Sequence, residues 1–203
     1  MNLVCLDTQY FIWGVLQQSR PSQVDQIAPA VEFFRWLDEN NSTIIVPTPL
    51  VTELLMRAEP DERGKILSVL EGNFSIREFD MLSAKYAADI WNQKKRAGVI
   101  DEIKKGEISL RTKIKIDTQL LAIAMAAEAT VFYTDDEKLV KLAEGFIPAR
   151  KIPMQAQANF LAKLDATAPP AKAAEEPPTA AAQPPNTTKP VHADPTNKAA
   201  EPK

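Results

Sequence analysis

What constrains this chain most is the alternation of short apolar runs with longer stretches of helical spacing. Leu3-Val4-Cys5-Leu6, Thr43-Ile44-Ile45-Val46 and Thr130-Val131-Phe132-Tyr133-Thr134 are too short for helices, and the last two are rich in β-branched and aromatic side chains. Their apolar residues fall at successive positions, so each strand has two faces to cover. Sheets covered on both faces are typically parallel, because the crossovers that join parallel strands lay helices over them. Phe74-Ser75-Ile76-Arg77-Glu78-Phe79 alternates at period two, which predicts a strand with one wet face.

The intervening segments have helical spacing. Helices are expected over 8–18, over 24–40 with Pro29 in the first turn of its firm part, and over 50–57 behind Pro49. Further helices are expected over 61–70 closed by Gly72, over 82–95, over 116–128, and over 136–144 ended by Gly145. Residues 98–111 are charged and read in part as a loop, and 146–148 with 152–153 suggest one edge strand. The expected class is α/β, with a central parallel sheet of four or five strands and helices on both faces.

Composition divides the chain. All 6 Gly, 3 Trp, 3 Tyr and 8 Phe fall at or before Phe160, whereas 9 of the 16 Pro lie beyond residue 165. A folded unit over 1–158 and a disordered Ala/Pro-rich tail over 159–203 are expected, because the tail has too little apolar side chain to offset the entropy of ordering. The net charge of −3 argues against a broad basic surface but not against a local one. Cys5 is the lone cysteine, which excludes an intrachain disulfide and suits a reducing cytoplasm. The first residues lack the basic segment of a signal peptide, and no apolar stretch reaches the roughly 20 residues of a membrane span.

Acidic residues recur where the expected strands end. Asp7 follows the first strand, Glu53 lies in the first turn after the second, and Asp135 and Asp136 follow the 130–134 strand. Asp117 opens the expected Ala-rich helix. In a parallel sheet, ligands bind at the carboxyl ends of the strands. Four carboxylates gathered there would repel unless a hard cation lay between them, and all-oxygen ligation selects Mg²⁺ or Mn²⁺ over Zn²⁺. Such an ion activates water and stabilises charge on a phosphate, which points to phosphodiester hydrolysis. A plainer reading stands beside this one: Asp7, Asp117 and Asp135 or Asp136 also suit helix N-caps, and Glu53 suits a solvated helix surface.

At these residues the chain resembles the PIN-domain family, which includes the VapC toxins of toxin–antitoxin pairs. The resemblance rests on the opening strand into Asp7-Thr8, on Thr52-Glu53-Leu54-Leu55, and most of all on Asp117-Thr118-Gln119-Leu120-Leu121-Ala122-Ile123-Ala124 followed by Val131-Phe132-Tyr133-Thr134-Asp135-Asp136. It covers about residues 1–150. It implies a three-layer α/β/α fold and an endoribonuclease whose acidic quartet is Asp7, Glu53, Asp117 and Asp136. The metal ligands would be Asp7, Asp117 and Asp136, with Asp135 in the variable position of the Thr-x-Asp as a further candidate. Thr134 and Thr8 are candidates to orient a carboxylate or a water. RNA as substrate, an antitoxin partner and a homodimer complete the expectation. The charged 98–115 segment and the tail depart from the toxin pattern.

Arg111, Lys113 and Lys115, with Lys104 and Lys105 before them, could grip an RNA backbone or form a solvated loop. Lys94, Lys95 and Arg96 read as a wet helix end. Trp13, Trp36 and Trp91 are expected in the core or an interface, and Tyr10 and Phe11 in the core or a dimer surface. The single histidine, His192, lies in the tail, which removes histidine catalysis and histidine ligation from the folded unit. No phosphate-binding glycine loop is present. The alternative function is a catalytically silent fold that binds RNA or protein. A dehalogenase-type phosphatase would need a second Asp where Gln9 stands.

Overall fold

The computed structural model describes residues 2–104 and 110–152. The expected tail over 159–203, the boundary at 158, Pro153, His192 and Lys105 lie outside those residues.

Five strands, β1 (Asn2–Leu6), β2 (Ser42–Pro47), β3 (Ser75–Arg77), β4 (Val131–Tyr133) and β5 (Ala149–Arg150), form one sheet in the order β3-β2-β1-β4-β5. Every pairing is parallel, with Val4 opposite both Ile44 and Val131. The apolar runs explain this arrangement: β1 sits at the centre, and Val4, Cys5 and Leu6 have no exposed surface. β5 falls between the two segments expected to supply an edge strand.

The helices are α1 (Thr8–Gly14), α2 (Ile27–Glu39), α3 (Thr48–Arg57), α4 (Arg63–Asn73), α5 (Met81–Arg96), α6 (Val99–Lys104), α7 (Leu110–Ala126) and α8 (Glu137–Ala143). The chain steps outward from β1 to β2 and β3, then returns past β1 to β4 and β5. Right-handed crossovers in the two directions lie on opposite faces of the sheet. α1 accordingly packs on α2, and α5 on α7. The reversal leaves a crevice beyond the carboxyl ends of β1 and β4, the topological switch point where open α/β sheets bind ligands.

Aromatic rings fill the α1–α2 side. Phe11 meets Phe34 and Phe74 at 5.3 Å between centroids, and Phe33 meets Tyr133 at 4.9 Å. Edge-to-face pairs of this kind add to the area they bury. Tyr10 and Phe11 are inside this cluster, so the dimer-surface alternative for them is overturned. Gly14 ends α1 where a Cβ would come within 2.5 Å of the Phe34 ring, so only glycine lets α1 and α2 approach this closely.

Other boundaries also shift. Gly72 does not close α4, which runs on to Asn73 and is capped where the Phe74 N–H donates to the Leu70 carbonyl. Gly145 adopts φ +82 just beyond α8, the left-handed conformation glycine tolerates. Within the charged stretch over 98–111, residues 99–104 form α6, burying Ile100 and Ile103. α7 begins at Leu110, six residues before the expected start, because Ile114 packs into the core between two flanking lysines. Asp117 therefore lies inside a helix and cannot be its cap. Lys94 is not at a wet helix end. It is buried, and its ammonium donates to the Lys141 carbonyl at 2.6 Å, satisfying an orphan acceptor in the last turn of α8.

Candidate metal centre at the carboxyl edge of the sheet

The β1–β4 ladder continues one residue past β1. The Asp7 N–H donates to the Tyr133 carbonyl at 2.9 Å, which sets Asp7 beside Thr134. The Thr134 hydroxyl then donates to Asp7 Oδ2 at 2.8 Å and accepts the Asp136 N–H at 3.0 Å. One fully buried hydroxyl thus ties together the acidic residues that follow two different strands. Thr8 faces Asp7 with its main-chain N–H.

The two caps differ. Asp7 occupies the N-cap position of α1 without accepting a capping bond, so its carboxylate stays available at the crevice. Asp136 does cap α8, with Oδ1 accepting the Lys138 N–H at 2.8 Å, while Oδ2 takes the Lys113 ammonium. The cap reading thus holds for Asp136 alongside any ligand role.

Asp117 comes from the interior of α7 and is only 7% exposed. Among the described residues nothing donates a hydrogen bond to it. Burial pushes its carboxyl up to about 7; Lys113 opposes the shift, and Asp7, Asp136 and Glu53 reinforce it. Asp7 is also raised, chiefly by burial, with the Thr134 hydroxyl opposing and Asp136 reinforcing the shift. Burial would raise Asp136 too, but the Lys113 ammonium and the Lys138 N–H outweigh it and hold it below the ordinary carboxylate range. Burial works against the charge on Lys113, yet Asp136, Asp117 and Asp7 together raise its pKa.

The quartet is therefore one electrostatic group. Glu53 is its outermost member, on α3, with its side chain 43% exposed and paired to Arg57 at 3.2 Å. Asp135 turns elsewhere, its Oδ2 accepting the Tyr10 hydroxyl at 3.0 Å. The basic trio does not act as one patch. Lys113 lies four residues before Asp117 on the same face of α7 and engages the acids, whereas about 100° of rotation per residue directs Arg111 and Lys115 to roughly the opposite side.

This architecture has counterparts among solved structures. A chain of the VapBC2 complex from Rickettsia felis, crystallised with a DNA fragment from their promoter, superposes with a TM-score of 0.53 at 14% identity, covering 74% of this chain and 99% of that one. A chain of DNA-bound VapBC from Salmonella typhimurium gives 0.53 and 14%, covering 75% and 100%. The fold is PIN-like. No family model and no curated protein matches the sequence.

In this PIN-like domain the donor set suits a hard cation: carboxylates and a hydroxyl, with neither a histidine nor a thiol among them. The Cys5 thiol is sealed beneath the sheet edge, and its burial raises its pKa. A buried carboxylate without a hydrogen bond, beside two others, is costly unless a positive charge joins it. Among the described residues no three His, Cys, Asp or Glu side chains come close enough together to form a metal-holding cage. Lys113 holds Asp136, and Thr134 holds Asp7. Mg²⁺ does not require a cage, because it keeps several waters and binds through one or two carboxylates. The sequence missed two partners here, Tyr10 and Lys113 as a counter-ion. The i, i+4 spacing of Lys113 and Asp117 would have indicated the second once α7 was extended to residue 110.

Proposed function

We propose that the chain is a metal-dependent endoribonuclease of the PIN type. The observation that supports this most is Asp117, a buried, unbonded carboxylate in a helix interior that shares its crevice with Asp7 and Asp136. Asp7, Asp117 and Asp136 would hold Mg²⁺ or Mn²⁺, and Asp135 could join them if Tyr10 released it. The ion would supply an activated water and neutralise charge at the scissile phosphate. Thr134 keeps Asp7 turned toward the crevice. Glu53, on the open side of the crevice, would accept the proton of the attacking water. Lys113, which engages Asp136 here, would meet the negative charge that develops on the phosphate.

The two structures named above are VapBC complexes crystallised with DNA. By that analogy the chain would be the toxin of a toxin–antitoxin pair, working in the cytoplasm as a homodimer with a separate antitoxin as its partner. No helix of the described residues is long and apolar enough to cross a membrane. Lys113 on Asp136 supplies an internal cation, which favours a second reading, a silent fold that only binds RNA or protein. Incubation with a mixed RNA pool in Mg²⁺ or Mn²⁺ decides between them. The nuclease cuts, stops in EDTA and is inert as Asp7→Asn. Cutting that persists in EDTA would reject the metal mechanism, and an Asp136→Asn variant with undiminished function would favour the binding module.

A further inference from the structure

A small polar pocket of about 240 Å³ opens between one side of α1, the 3₁₀ turn Pro21–Gln26 and the end of α3. It is lined by Gln9, Ile12, Gln18, Ser19, Arg20, Gln23 and Arg57. We propose that this pocket binds a phosphate–ribose unit of single-stranded RNA next to the one being cut, with Arg20 as its principal anion contact. The inference rests on the nuclease reading and adds a backbone subsite to the same substrate.

The first support is position. Gln9 stands two residues beyond Asp7, and Arg57 stands one helical turn beyond Glu53, to which it is paired. The pocket therefore adjoins the acidic crevice on the α1–α3 side. The second support is chemistry. Two guanidinium groups and three amides present an excess of donors, and a guanidinium matches a phosphate through two parallel hydrogen bonds. Arg57 shares its charge with Glu53, but the Arg20 guanidinium has no hydrogen bond or ion pair to any described residue.

The third support is what the lining lacks. It contains no aromatic ring, and Ile12 is its one apolar side chain. Bases bound without pairing need an aromatic platform, so this site suits the sugar–phosphate backbone rather than a base. It would position RNA without reading sequence.

Local structure also holds Arg20 in place. Gln17 takes a left-handed φ of 52, and the Gln18 N–H returns to the Ile12 carbonyl at 3.0 Å. Pro21 then starts the 3₁₀ turn, in which the Gln23 N–H donates to the Arg20 carbonyl at 2.8 Å. The segment carrying Arg20, Gln18 and Gln23 is thus folded back against α1.

The test uses the full-length chain carrying Asp7→Asn in Mg²⁺, so that a fluorescent single-stranded oligouridylate binds without being cut. Adding Arg20→Ala should weaken binding about five- to tenfold and make the salt dependence shallower by roughly 0.7 in log–log slope, the signature of one lost single-strand phosphate contact. Arg20→Lys should keep the slope and recover part of the affinity. Gln23→Ala should weaken binding with no change of slope. Identical affinity and slope with and without Arg20→Ala would overturn the pocket, as would a polyglutamate peptide that binds through Arg20 while RNA does not. Cleavage of the RNA pool by the wild type is scored separately. If it cuts while Arg20→Ala leaves binding untouched, only the subsite fails. If it neither binds nor cuts RNA, the nuclease reading fails.

Discussion

Two charged side chains are buried among the described residues, and the protein treats them oppositely. Lys94, 5% exposed at the junction of α5 and α8, is given an acceptor: the Lys141 carbonyl at 2.6 Å. Asp117, 7% exposed on α7, is given no hydrogen bond by the described residues and has further acids around it, with Lys113 the nearby cation. A buried charge with a fitted partner serves the architecture, because it satisfies a helix end. A buried charge left without one lowers stability, and such costs are tolerated where a ligand later meets them. The two sites share a fold and differ in what completes them.

The largest expected effect follows from removing the second charge. Asp117→Asn should lower RNA cleavage more than 100-fold, about 3 kcal/mol or more in the barrier, while leaving the metal-free protein as stable or more stable in urea unfolding. A variant that loses stability and keeps activity would reverse the comparison. Next in size is a pH effect. The Asp117 carboxyl titrates near 7 in the folded chain against an ordinary 3.8, so the folded state binds the proton more tightly than the unfolded state. Below the lower value both states are protonated and nothing is gained or lost. As pH rises from about 4 to about 7, the metal-free protein should lose stability, on the order of a few kcal/mol, and level off above. Asp7 acts in the same direction. Urea midpoints across that range check the slope, which should flatten in Asp117→Asn and, for the wild type, in excess Mg²⁺. A slope of the opposite sign would mean that Asp117 is stabilised as a carboxylate by the protein alone.

A smaller effect is expected at the first charge. Lys94→Met removes the donor and orphans the Lys141 carbonyl, so unfolding should become easier by about 1–3 kcal/mol with RNA cleavage retained. The smallest effect tests the hydroxyl between Asp7 and Asp136. Thr134→Val keeps the shape and deletes both of its hydrogen bonds, and should slow cleavage roughly tenfold, about 1.4 kcal/mol. Unchanged single-turnover rates would show that Asp7 does not need Thr134 to hold its orientation.

The same contrast explains what could be read in advance. The three inner strands were legible because their apolar runs leave no face for water, and with them came the parallel sheet and the position of Asp7 and Asp136 at its carboxyl edge. The start of α7 was not legible. Residues 110–115 alternate charged groups with Leu110, Thr112 and Ile114, and only tertiary packing of Ile114 shows that they belong to a helix. That error hid the interior position of Asp117, which is the detail that separates a ligand from a cap. Lys94 was misread for a related reason: a Lys-Lys-Arg helix end looks solvated until α8 is placed against it. Arg20 and Arg57 are far apart in sequence, and no local pattern joins them into one pocket.

A divalent cation would complete what the protein leaves open at Asp117. Titration of Mn²⁺ into the full-length chain, followed by the loss of the free-ion electron paramagnetic resonance signal, measures this directly. The prediction is saturable Mn²⁺ binding that Mg²⁺ displaces and that Asp117→Asn and Asp7→Asn each abolish. Wild-type protein that leaves the free Mn²⁺ signal intact, or an Asp117→Asn variant that binds the ion as well as wild type, would contradict it.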